Sequence, residues 1–79
     1  MSGRDERFAS RLRGLRSEDD MSQRELADAL GLTRASVVNY ESGESMPNLA
    51  VAVQIADIFG VSLDYLVGAS DDATRRRRR

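Results

Sequence analysis

The chain has no cysteine and no histidine, and its twelve basic residues are all arginine, so lysine is missing too. Without thiols, neither a disulfide framework nor a thiolate metal site lends stability. The joint absence of His, Cys and Lys removes the usual general bases and nucleophiles. No metal-ligand cluster, glycine-rich phosphate loop or paired set of carboxylates replaces them. An enzyme is therefore the least favoured class, and no cofactor, metal or small-molecule ligand is expected. Long apolar runs are also lacking: LAVAV at 49–53 is the longest, far too short to cross a bilayer. The opening MSGRDERFAS has no apolar core of the kind a secretory signal needs. A cytoplasmic protein with no membrane segment is the expectation.

What is present is ordinary for a soluble domain. The 79 residues are 41 % hydrophobic and 32 % charged, which suits one small folded unit rather than a disordered chain. The formal net charge of −1 conceals an asymmetry. Residues 1–34 balance seven Arg against seven Asp and Glu, whereas residues 35–74 hold six acids (Glu41, Glu44, Asp57, Asp64, Asp71, Asp72) and no base. The run Arg75–Arg79 then adds five positive charges. A polyanion would thus meet the N-terminal half or the arginine run, because the intervening segment repels it.

Five helices are predicted, and no strand pattern competes. The first, about Asp5 to Ser17, puts Phe8, Leu12 and Leu15 at i, i+4 and i+7 on one apolar stripe. Ser22 followed by Glu25 forms a capping-box pattern that opens a second helix, with Leu26, Ala29 and Leu30 inward and Gly31 ending it. Thr33 caps a third helix that runs from Arg34 to about Ser42, with Val37 and Tyr40 inward and Gly43 as its stop. Pro47 confines residues 43–47 to a loop, so the fourth helix starts at Pro47 or Asn48 and ends before Gly60. Its core stripe is expected at Leu49, Ala52, Val53, Ala56 and Phe59. Ser62 caps a short fifth helix that returns Leu63, Leu66 and Val67 to the core. Residues 1–68 read as the folded domain, and 69–79 as a flexible, acidic and then all-arginine tail.

The joint between the second and third helices is only Gly-Leu-Thr, which forces a steep crossing. Ala27 faces the third helix where a larger side chain would push the two apart. Gly31 adopts positive φ without cost, and Leu26, Leu32 and Val37 hold the angle. This is the pattern of a helix-turn-helix, whose second helix keeps one face free to enter a DNA major groove.

The chain resembles the lambda repressor-like, XRE-type helix-turn-helix family over about Phe8 to Gly68. The likeness lies in the Gln23–Ser42 unit, in FASRLRGLR before it, in NYESG closing the third helix, and in FGVSLDYLVG. It implies a compact all-α, five-helix fold, homodimeric binding to operator DNA and transcriptional control. It also implies roles for individual residues. Arg34, Ala35, Val38 and Asn39 would face base edges, with Arg34 forking onto a guanine, Asn39 onto an adenine and Ala35 meeting a thymine methyl. Gln23, Arg24, Ser36 and Arg11 would contact phosphates. Arg16 and Glu41 would form an ion pair tying the first helix to the third. One departure is visible: the loop after the third helix reads GESMP, with Glu44 where relatives often carry a base.

The fourth helix is apolar nearly all round, which suggests burial on two sides. A symmetric dimer using Val51, Ile58, Leu63 and Val67 is the expectation, set against a small intramolecular core that uses Ile55 and Ile58. Two functions compete: a sequence-specific DNA-binding repressor, and a protein-interaction module of the same fold, antitoxin- or antirepressor-like, with weak or no DNA binding. On composition alone, the arginine run reads equally as a DNA-tracking arm, a solvated tail against the acidic half, or a cloning remnant.

Overall fold

A computed structural model describes residues 3–73 of the chain. Its helices are α1 (Gly3–Glu18), α2 (Gln23–Leu30), α3 (Arg34–Ser42), α4 (Leu49–Phe59) and α5 (Leu63–Leu66). The all-α, five-helix architecture agrees with the reading of the sequence. Arg75–Arg79 lies outside the described residues.

The helix boundaries follow from local chemistry. Ser22 Oγ accepts from the Glu25 N–H while Glu25 accepts from the Ser22 N–H, so two otherwise orphaned donors at the start of α2 are satisfied. Thr33, Asn48 and Ser62 cap α3, α4 and α5 with side-chain oxygens in the same manner. At the α2–α3 corner Gly31 has φ +70°, a left-handed conformation that costs other residues free energy. The corner is closed by the Leu32 N–H donating to the Ala27 carbonyl at 2.9 Å.

The core gathers Phe8 and Leu12 from α1, Leu26, Ala27 and Leu30 from α2, Val37 from α3, Ile55 and Ala56 from α4, and Leu66 from α5. Ala27 is 1 % exposed at the α2–α3 crossing, as the close approach of the two helices requires. Phe8 and Tyr40 meet edge to face, ring centroids 6.3 Å apart, so an aromatic pair couples α1 to α3.

Two expectations need correction. Ala29 is exposed, because the buried arc of α2 is set by Leu26, Ala27 and Leu30 and Ala29 falls outside it. On α4 the buried residues are Ala52, Ile55 and Ala56, while Leu49 is 71 % and Val53 41 % exposed. A helix apolar nearly all round carries no phase in its own sequence, and the wide Ile55 side chain occupies the inward position. Residues 69–73 make backbone hydrogen bonds to the body. The Ala69 N–H donates to the Asp64 carbonyl at 2.8 Å, and the Ser62 N–H donates to the Ala73 carbonyl at 3.1 Å. Gly68 is buried against α1: with φ +82°, it sits so close that a Cβ would lie 2.7 Å from Arg7 Cβ. Arg7 Nη1 donates to the Gly68 carbonyl at 3.0 Å.

Candidate nucleic-acid interface

The frame behind α3 is built around Glu41, a carboxylate only 4 % exposed in the last turn of that helix. A negative charge there opposes the helix dipole, so it persists only with strong partners. Arg16 supplies them from α1: Nε donates to Glu41 Oε2 at 2.6 Å and Nη2 to Oε1 at 3.1 Å, a forked pair. Arg16 Nη1 also donates to the Met21 carbonyl at 2.8 Å, fastening the α1–α2 turn to the same guanidinium. Gln23 Nε2 donates to Glu41 Oε1 at 3.1 Å. Arg13 donates to the Glu41 carbonyl, adding positive charge at the end of α3. The hydrogen bond Arg16 donates to Glu41, with the Coulombic attraction of that carboxylate, raises the Arg16 pKa above the ordinary guanidinium value against the opposing effect of burial. Both positions lie far above neutrality. Stability contributed by such a raised-pKa base is present at every pH below the unfolded value, so Arg16 itself adds no pH dependence between about pH 5 and 9.

The opposite face of α3 is open. Arg34, Ala35 and Asn39 are exposed, and Val38 is half-buried beside them. Ser36 is half-buried, its hydroxyl 3.1 Å from that of Thr33 at the N-terminus of the helix. Arg16, Ser22, Gln23, Arg24 and Arg34 line one groove, between the start of α2 and the start of α3. The first residues of α2 and two exposed arginines, Arg24 and Arg34, converge on it. That is the arrangement an anionic oxygen favours. Gln23 and Arg24 are thus brought together with Arg34, and Gln23 is oriented by its bond to Glu41. Ser22, read from sequence only as a cap, is a further wall of the groove; the capping box signalled its position at the helix start but not this second role.

Arg11 is elsewhere. Its Nη1 donates to the carbonyls of Tyr65 and Ser70, its Nη2 meets Asp71 Oδ1 at 2.8 Å, and its guanidinium lies 4.1 Å from the Tyr65 ring centroid. Arg11, expected at a phosphate, clamps residues 70 and 71 onto α1 in this structure. Helical periodicity placed Arg11 on the flank of α1 but carried no information on the chain that returns there sixty residues later.

The residues expected at a dimer contact, Val51, Ile58, Leu63 and Val67, are all half-buried, and the first three lean on the chain's own core. Among the described residues, the exposed large hydrophobics are Met46, Leu49 and Val53. Among the described residues, no helix is long and apolar enough to cross a membrane, and no cluster of acidic side chains forms a metal site.

Comparison with known proteins agrees with this geometry. The helix-turn-helix family model HTH_3 matches residues 12–66. A prophage-derived HTH-type transcriptional regulator of Bacillus subtilis, YonR, is 38 % identical over 60 residues, covering 76 % of this chain and 56 % of that protein. The cryptic phage CTXphi transcriptional repressor RstR of Vibrio cholerae is 34 % identical over 64 residues, covering 81 % of this chain and 58 % of its own length. This chain therefore spans little more than half of those relatives. A crystal structure of a transcriptional regulator from Listeria innocua superposes with a TM-score of 0.75 at 33 % identity, covering 77 % of this chain and 57 % of that one. These are regulators by name, not enzymes. With its five helices, its Gly31 corner and its Arg16–Glu41 brace, the chain belongs to the lambda repressor-like, XRE-type helix-turn-helix family.

Proposed function

We propose that the chain is a sequence-specific, double-stranded DNA-binding transcriptional regulator, a cytoplasmic repressor that binds a palindromic operator as a homodimer with α3 in the major groove. The observation that carries this is the two-sidedness of α3. Its inner edge is braced by Val37, Tyr40 and the Arg16–Glu41 pair, while its outer edge presents Arg34, Ala35 and Asn39 to solvent. Arg34 can fork two donors onto guanine O6 and N7, Asn39 can donate to adenine N7 while accepting from its N6 amino group, and Ala35 and Val38 suit a thymine methyl. Gln23 and Arg24 at the start of α2, with Ser36 at the start of α3, fix register on phosphates without reading sequence. The relatives' names, a phage repressor and a prophage regulator, support the regulatory role. A second copy brings the second half-site: exposed Leu49 and Val53, one turn apart on α4, are the apolar surface left for it. Two copies related by a two-fold axis would present their α3 helices about 34 Å apart, one turn of DNA.

Asn39→Ala tests base reading. On the preferred duplex the variant is expected to bind about 5- to 150-fold weaker, a loss of roughly 1–3 kcal/mol, while binding to random-sequence duplex stays within about twofold. Equal losses on both duplexes would reduce Asn39 to a backbone contact. Exposed Glu44, in the loop after α3, is the feature that favours the protein-interaction alternative. A chain of that kind would show no preferred duplex at any salt concentration.

A further inference from the structure

Gln23, the first residue of α2, faces two ways. Half-buried, it is part of the groove wall with Arg16, Ser22, Arg24 and Arg34. Behind that wall its Nε2 donates to Glu41 Oε1 at 3.1 Å. Arg16 already brings a positive charge and a forked pair of hydrogen bonds to the same carboxylate, so neutralising Glu41 does not require Gln23. What the extra bond fixes is direction. A glutamine amide is nearly symmetric in shape but not in polarity, because its nitrogen end donates twice and its oxygen end only accepts. An ionised carboxylate only accepts as well. Turning the Gln23 amide over would therefore set two bare oxygens against each other beside buried Glu41, an unpaired polar contact that costs free energy.

Resting on the DNA-binding reading above, we infer that Glu41 is a positioning residue for the phosphate contact: it locks the polarity and rotamer of Gln23, so that the second Nε2 hydrogen is held ready for a phosphate oxygen. Glu41 itself does not meet DNA, since it is buried and its carboxylate oxygens are occupied by Arg16 and Gln23. One Nε2 hydrogen serves Glu41, and the other remains for the groove, beside a helix N-terminus that favours the same anion. The amide nitrogen thus bridges two anionic acceptors, which a flipped amide cannot do. The lock also acts through entropy. A glutamine already held in one rotamer loses less freedom when the duplex arrives. Because Glu41 belongs to α3, the residue that sets register on the backbone and the helix that reads bases are tied through a single carboxylate.

The test is a double-mutant cycle on DNA affinity. Glu41→Gln keeps the shape of the side chain but can both donate and accept, so it tolerates either end of the Gln23 amide. The full chain, Glu41→Gln, Gln23→Ala and the double variant are titrated by fluorescence anisotropy against a random duplex and a duplex selected by the full chain. Circular dichroism verifies that each is folded. With Gln23 present, Glu41→Gln is expected to weaken binding to both duplexes by about three- to tenfold. With alanine at position 23, its effect is expected to fall below about twofold. A brace that only holds the fold together predicts the same loss in both backgrounds, and that result would overturn the inference. Should Glu41→Gln not fold, NMR relaxation of the Gln23 side-chain amide in the unsubstituted chain decides. An amide as rigid as the neighbouring backbone is expected, and one as mobile as that of exposed Gln54 would overturn the lock. The two readings fail separately. No preferred sequence, with the cycle still coupled on random duplex, would remove the regulator reading and keep the lock; a preferred sequence with equal losses in both backgrounds would do the reverse.

Discussion

Glu41→Ala is expected to lower the unfolding free energy by about 3 kcal/mol, measured by urea denaturation at neutral pH. The substitution removes a carboxylate that is 4 % exposed and leaves the Arg16 guanidinium, itself 22 % exposed on its side chain, without its charged partner. It also frees Gln23 Nε2, so the start of α2 loses its tie to α3. A buried charge left alone costs more than the pair itself contributes, and that asymmetry supplies the discriminating control. The double replacement Arg16→Met with Glu41→Leu is expected to recover most of the loss. If Glu41→Ala alone costs less than about 1 kcal/mol, the brace is a surface ion pair in energetic terms and α3 is held by apolar contacts only.

Phe8→Ala is expected to cost about 3–5 kcal/mol, with thermal unfolding by circular dichroism shifting down by roughly 15 °C or more. Phe8 is fully buried and touches Tyr40 edge to face, so its removal opens a cavity between α1 and the helix assigned to DNA reading. A domain of this size has a total stability of only about 5–15 kcal/mol, and such a loss brings it to the margin of folding. A midpoint within a few degrees of the unsubstituted chain would mean that α1 and α3 close over the gap. That would contradict a rigid α1–α3 frame.

The parts of the fold legible in the sequence are those set by neighbours a few residues apart. Ser22 with Glu25, Thr33, Asn48, Ser62 and the stops at Gly31, Gly43 and Gly60 all act within one turn, and each boundary follows from them. Phe8 and Leu12 sit where a stripe of period 3.6 puts them. Arg16 with Glu41 was reached through the family likeness, and the structure joins them in a two-point pair. What local pattern did not show concerns distance along the chain. Arg11 is turned by Ser70 and Asp71, which no local pattern links to it. The phase of α4 is set by which side meets α2 and α5, because eleven residues with only Gln54 and Asp57 polar mark no face of their own. The same holds for Gly68: its glycine is needed for the approach of Arg7 from the other end of the chain, beyond any turn signal.

The most direct measurement is selection of duplexes from a random pool by the full chain, read by sequencing. If the outward edge of α3 lies against base pairs, one sequence family is expected to rise through successive rounds, with two related half-sites about 10 base pairs apart centre to centre. A pool that stays random while still being retained by the protein would contradict it, since retention without enrichment means that phosphates alone are held.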